Sequence, residues 1–189
     1  INFITISSFL SITTFAIFIS PFDNIILLFF IKLVKVIFVK KVLRFLIIFL
    51  PWLISGLIFK YNPEYYNMLN IPKFALSPKL ISISWIIIYI LVSISIYKVS
   101  LKENIFKNSD YFYVLITNYL ANQLFLYGFF NLKSPFFGFI LTTIVLVSSI
   151  YLFIETNKMD KKSSYFIIPY IVYSIYAFVL SLSVYIMNF

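Results

Sequence analysis

The chain has no cysteine and no histidine, only three glycines, and six acidic residues against fifteen basic ones. The missing cysteines exclude disulfides and thiol nucleophiles, and without histidine as well no Cys/His metal site can form. The usual imidazole or thiolate ligation of haem iron is excluded on the same grounds. Histidine acid–base chemistry is absent too. The scattered carboxylates Glu64, Glu103, Asp110, Glu155 and Asp160 have no spaced partner. Gly56, Gly128 and Gly138 stand too far apart to form a phosphate-cradling loop. Any ligand must therefore be held by shape, stacking and hydrogen bonds.

What fills the chain is apolar. Hydrophobic residues make up 62% and charged residues 11%, with a mean hydropathy of +1.03. Soluble domains run near 45–50% apolar and about 25% charged, so lipid is the solvent for most of this surface. A helix crossing about 30 Å of hydrocarbon needs about 20 apolar residues. Five segments qualify: 42–59, 80–97, 111–130, 136–154 and 165–187. The predicted fold class is all-α, a polytopic membrane bundle of five core helices over 42–189, preceded by a hydrophobic extension over 1–41. In that extension, Phe3 to Ser20 is apolar, Pro21-Phe22-Asp23-Asn24 interrupts, and Ile25 to Val39 is apolar with Lys32 and Lys35. A sixth helix, a short hairpin and an interfacial helix all fit. A signal peptide is not expected, because no basic region precedes the apolar run.

The net charge of +9 does not point to nucleic acid, because the basic residues lie between apolar runs and form no stripe. They sort by side instead. Lys32, Lys35, Lys40, Lys41, Arg44, Lys98, Lys102, Lys107, Lys158, Lys161 and Lys162 flank one side; Lys60, Lys73, Lys79 and Lys133 flank the other. The positive-inside rule then places the start of the first core helix on the cytoplasmic side of the cell membrane.

Polar and aromatic residues inside the spans are the informative ones, because in lipid they prefer the bundle interior. At helical spacing, Ser82, Trp85, Tyr89 and Ser93 share a face of the second helix. Asn118, Asn122, Phe125 and Phe129 do so in the third, and Tyr173, Ala177 and Ser181 in the last, with Tyr170 beside them. Three such stripes suggest an apolar cavity with a few fixed polar groups. Plainer readings stand beside this one. Asn122 suits a cross-helix hydrogen bond, Trp85 an interfacial anchor, and Tyr170 and Tyr173 ordinary packing.

The spacing of these residues resembles that of the TspO/MBR family, the translocator or tryptophan-rich sensory proteins, over about residues 45 to 189. The frame Tyr65-Tyr66-Asn67-Met68-Leu69-Asn70-Ile71-Pro72-Lys73-Phe74 runs without a gap to Trp85 and Tyr89. The family's Pro-Pro pair is Leu76-Ser77 here, and its Lys before Pro is Ile71. In the third helix, Asn122 and Phe129-Phe130 match, with Phe125 at a family tryptophan position. In the last, Pro169-Tyr170, Ala177, Leu180 and Asn188 match, with Tyr173 at a family tryptophan position and Ser181 at an asparagine position.

The resemblance implies a five-helix bundle, often a homodimer, that binds tetrapyrroles such as porphyrin or haem, or sterol-like and other flat hydrophobic molecules. Such ligands lie between helices, under the loop joining the first two. Carried over, the ligand-binding residues are Phe74, Trp85, Tyr89, Asn122, Phe125, Tyr173 and Ala177, with Lys73 or Lys79 near the mouth. No catalytic or metal-binding residue and no required cofactor is implied. Some relatives are linked to light-driven porphyrin breakdown involving pocket tryptophans. With Tyr173 at one of those positions, binding with weak or no degradation is expected. The runner-up readings are a small exporter of hydrophobic solutes and a structural subunit of a membrane complex.

Overall fold

The computed structural model describes residues 21–189, whose regular elements are helices with no strand among them. The apolar segment expected over Phe3 to Ser20 lies outside the described residues. The chain divides into two units at Leu43/Arg44. In the first, the described residues belong to the opening part of helix α1 (Pro21–Phe49). Pro21 stands at the helix start, where its missing N–H costs nothing. Pro21 to Asn24, expected as an interruption between two apolar runs, instead open the helix that carries Ile25 to Val39.

The second unit, Arg44–Phe189, holds the bundle. The helix expected over 42–59 is not continuous. Pro51 has no N–H and its ring crowds the preceding turn, so α1 gives way to a 3-10 turn at Leu50–Leu53. A short helix, α2 (Ile54–Ile58), follows. In lipid the backbone groups released by such a break must be satisfied from elsewhere. A later helix supplies them: Tyr119 donates to the Pro51 carbonyl at 3.2 Å and Gln123 Nε2 to the Trp52 carbonyl at 3.3 Å. Gln123 Oε1 in turn accepts from the Ser55 N–H at 2.8 Å. Tyr119 and Gln123 are four residues apart, so one helical face serves the whole break.

The remaining elements are α3 (Pro63–Met68), α4 (Pro78–Lys102), α5 (Ser109–Leu126), α6 (Pro135–Met159), α7 (Lys161–Ser164) and α8 (Ile168–Met187). Asn62-Pro63, Ser77-Pro78 and Ser134-Pro135 start three of them. Each Asn or Ser side chain accepts a backbone N–H of the first turn, and the proline occupies the first helical position. Asn108 caps α5 in the same way, accepting from Tyr111 N. From these caps, α4 and α6 run past the expected 80–97 and 136–154 at both ends, to Lys102 and Met159.

Among the described residues, three helices are long and apolar enough to cross a membrane: Pro78–Lys102, Pro135–Met159 and Lys161–Met187. Helix α5 is more polar because it carries Asn118, Asn122 and Gln123, whose polar groups are bonded within the bundle. Helices α5 and α6 are joined by Asn118 Nδ2, which donates to Ser148 Oγ at 2.8 Å. Helices α6 and α8 are joined by a hydrogen bond between the buried hydroxyls of Thr142 and Ser181. Small residues let these helices approach closely. A Cβ on Gly138 would lie 2.6 Å from the Phe129 ring.

Charge separates the ends of this bundle. At one end Arg44 donates to the Ser100 carbonyl, and Lys102 forms an ion pair with Asp160 at 2.7 Å. The Lys102 hydrogen bond and then the Ser163 hydroxyl hold the Asp160 carboxyl at about 2, below its ordinary 3.8. At the other end, the loop from Lys60 to Ser77 is fastened to α8. Asn70 N donates to Asn188 Oδ1 at 2.8 Å, Asn188 Nδ2 returns a bond to Asn70 O at 3.0 Å, and Leu76 N donates to the Tyr176 hydroxyl at 2.8 Å.

Candidate functional site

The aromatic residues of α4 and α8 meet in the interior. Trp85 and Tyr89, four residues apart, lie on one face of α4. Tyr170 and Tyr173 come from the first and second turns of α8. The Trp85 ring is 5.2 Å from Tyr173 and 6.2 Å from Tyr170, both edge-on, and 5.6 Å from Tyr89. Trp52, in the turn made by Pro51, stacks on Tyr89 at 5.3 Å, and Tyr119 stands nearly perpendicular to it at 5.3 Å. Edge-on and offset contacts of this kind suit the charge distribution of aromatic rings.

The polar core of the cluster is a closed relay. Tyr170 is fully buried; its hydroxyl donates to Asn118 Oδ1 at 2.8 Å and accepts from Asn122 Nδ2 at 2.8 Å. Asn122 Nδ2 also donates to the Asn118 carbonyl at 2.8 Å. The Tyr89 hydroxyl donates to Asn122 Oδ1 at a longer 3.4 Å. The Asn122 amide thus has partners at both ends, on its own helix and across to α4 and α8. The Tyr173 hydroxyl is buried with no hydrogen-bond partner; Ser84 stands near it without hydrogen-bond geometry.

Of the residues expected at the site, Trp85, Tyr89, Asn122 and Tyr173 are brought together here. Phe125 is placed in a neighbouring group. It stacks on Phe129 at 5.6 Å, beneath Tyr65 of α3, whose ring is 5.8 Å from Phe129. Phe74 is half exposed on the loop, edge-on to Tyr176 at 6.5 Å, and Tyr176 is 5.5 Å from Tyr173. Ala177 is partly buried on α8, one turn beyond Tyr173. The rings therefore connect in series from the loop to the interior: Phe74, Tyr176, Tyr173, Trp85, Tyr89, Trp52. Ser82 departs from the expected stripe. It is exposed, and its hydroxyl donates back to the Pro78 carbonyl at 3.0 Å, while Ser93 is fully buried.

Trp52 and Gln123 are functional neighbours that no sequence motif marks. The signal for Trp52 was its rarity, as one of two tryptophans in the chain, beside a proline in an apolar run. Among the described residues no group of acidic side chains is placed to hold a metal ion.

The sequence model of the TspO/MBR family matches residues 43–187. The chain belongs to the TspO/MBR family. It is a membrane protein of that family, and the match covers the whole bundle from α1's last turns to the end of α8. Two relatives agree. "Uncharacterized membrane protein YtaB" of Bacillus subtilis is 30% identical over 134 residues, 71% of this chain and 86% of that one. "Tryptophan-rich protein TspO" of Bacillus cereus is 24% identical over 153 residues, 80% of this chain and 99% of that one. As a TspO/MBR protein this chain is poor in tryptophan. Tyrosine and phenylalanine make up most of its interior aromatic cluster.

Proposed function

We propose that this TspO/MBR protein is a membrane receptor or sensor that binds tetrapyrroles, or similarly flat hydrophobic molecules, among α4, α5 and α8 beneath the Lys60–Ser77 loop. The observation that carries this reading is the meeting of Trp85 with Tyr89, Tyr170 and Tyr173, below a loop whose Phe74 joins the same ring series through Tyr176. A flat macrocycle replaces ring–ring contacts with ring–macrocycle contacts of the same kind. Each is worth about 0.5–1.5 kcal/mol beyond area burial. The rings touch one another, so a ligand enters by spreading Trp85 from Tyr173. The loop must lift with them, which breaks the Leu76–Tyr176 and Asn70–Asn188 bonds.

The relay assigns roles within the site. Asn122 is held by Tyr170 and Asn118, so it shapes the floor. The unpartnered Tyr173 hydroxyl is the free donor, suited to a carbonyl or carboxylate at the ligand's edge. Tyrosine at this position favours binding with weak or no light-driven breakdown. The test is a protoporphyrin titration in detergent, comparing the native chain with Trp85→Ala and Tyr173→Ala. Each variant is expected to weaken binding by at least about 2- to 12-fold, the ring contact alone, with the lost apolar burial adding to it. Unchanged affinity in both would refute the site, and rapid bleaching to a new product under illumination would refute the weak-degradation reading.

A further inference from the structure

We propose that Lys98, Lys161 and Lys162, with Tyr165 and Phe166, form a docking surface for the headgroup of an anionic phospholipid. The geometry begins with α7. Its two serines, Ser163 and Ser164, are fully buried, and Ser163 is fixed from two sides. Its carbonyl accepts from Ser95 of α4 at 2.9 Å, and its hydroxyl donates to Asp160. With the serines turned inward, Lys161 and Lys162 are exposed. The helical run continues through Tyr165–Ile167, so Lys162 and Phe166 share one face and Lys161 and Tyr165 the next. Lys98, one turn before the end of α4, lies over the Phe166 ring at 5.8 Å. Three cations and two aromatic rings therefore stand where Lys161–Met187 enters the apolar layer. Tyr165 is 54% exposed, as an interfacial tyrosine is.

Charge decides the occupant. The carboxylate next in sequence, Asp160, is buried and paired with Lys102, and Glu155 is paired with Lys158. Neither is free to neutralise the patch, and none of its three lysines is ion-paired among the described residues. A cationic patch rimmed by aromatics at headgroup depth fits a phosphate diester with a net negative charge. Of the lysines of the opposite end, Lys60 and Lys73 lie thirteen residues apart in the Lys60–Ser77 loop, Lys79 in the first turn of α4 and Lys133 in the connection before α6.

The test uses the full chain in phosphatidylcholine bilayers containing trace spin-labelled phosphatidylglycerol or phosphatidylcholine. The immobilised fraction gives the preference of the protein surface for one lipid over the other. The native chain is expected to prefer phosphatidylglycerol at low salt. The triple variant Lys98→Gln/Lys161→Gln/Lys162→Gln is expected to reduce that preference at least about fivefold, the worth of one lysine at a charged leaflet. Lys60→Gln/Lys73→Gln/Lys133→Gln is expected to retain it. Lys161→Gln/Lys162→Gln, which leaves the Lys98–Phe166 contact intact, is expected to lie between and guards against loss of folding in the triple variant. An unchanged preference in the folded patch variants, or an equal loss in the opposite-end variant, overturns the proposal.

Discussion

Replacing Tyr170 by phenylalanine removes one oxygen and leaves the ring. That oxygen joins α8 to α5 twice, donating to Asn118 Oδ1 and accepting from Asn122 Nδ2, each at 2.8 Å. The residue is fully buried, so water cannot replace either bond. Interhelical hydrogen bonds within membranes are worth about 0.6 kcal/mol on average and at most about 1.7. A buried acceptor left unpaired costs about 1–3 kcal/mol. Asn118 Oδ1 would retain only a 3.4 Å contact from Asn122 Nδ2. Together these give a destabilisation of about 1–3 kcal/mol for Tyr170→Phe. Tyr89→Phe loses a single bond of 3.4 Å and is expected to cost no more than about 0.6 kcal/mol. Reversible unfolding in mixed detergent micelles measures both. A double-mutant cycle of Tyr170→Phe with Asn122→Ala isolates the pair, with an expected coupling above about 0.5 kcal/mol. A Tyr170→Phe cost below that of Tyr89→Phe, or no coupling in the cycle, would refute the relay.

Other residues give equally definite expectations. Gln123→Leu strips the Ser55 N–H and the Trp52 carbonyl of their partner at the Pro51 break and is expected to cost about 1–3 kcal/mol in the same assay. Gly138→Ala drives a Cβ to 2.6 Å from the buried Phe129 ring and is expected to cost about 1–3 kcal/mol through overpacking. For Asp160, the carboxyl is held at about 2, below its ordinary 3.8, first by Lys102 and then by Ser163. A depressed carboxyl stabilises the fold fully above the unfolded value and loses that contribution as pH falls through the folded one. Stability should thus decline between about pH 4 and pH 2 in the native chain, while Asp160→Asn should be less stable at neutral pH and lack this component of the decline.

The bundle was legible because its signal is cumulative: long uncharged runs between Lys-bearing connections leave few alternatives to membrane helices. Details that rest on a few residues were less so. Pro51 sits inside an apolar run that otherwise reads as one helix. Its break is tolerated only because Tyr119 and Gln123, some 68 to 71 residues later in the chain, meet the released groups. No local pattern announces that pairing. The segment from Glu155 to Ser164 reads as a short charged connection, but its first five residues complete α6. The Asp160 carboxylate and the two serines that follow are buried, because Lys102 and Ser95 reach them from α4.

The candidate site was legible to the same degree. Helical spacing correctly grouped Trp85 with Tyr89 and Asn118 with Asn122, since positions four apart must share a face. It did not reveal that Tyr170 is the hub of the relay, nor that Trp52 stacks on Tyr89, because both depend on how separate helices meet. Ser82 lies on the right face but too near the helix start, where its hydroxyl turns back to Pro78. Phe125 lies one turn beyond Asn122 and joins the ring group under α3.

The central claim is that the rings around Trp85 receive a flat hydrophobic molecule. It is tested most directly in a Trp52→Phe background, where Trp85 is the only indole left to report. On titration with protoporphyrin, quenching of Trp85 emission is expected to saturate near one equivalent and to be weakened by Tyr173→Ala. Quenching that rises in proportion to porphyrin dissolved in the detergent, without saturation and regardless of Tyr173, would contradict it.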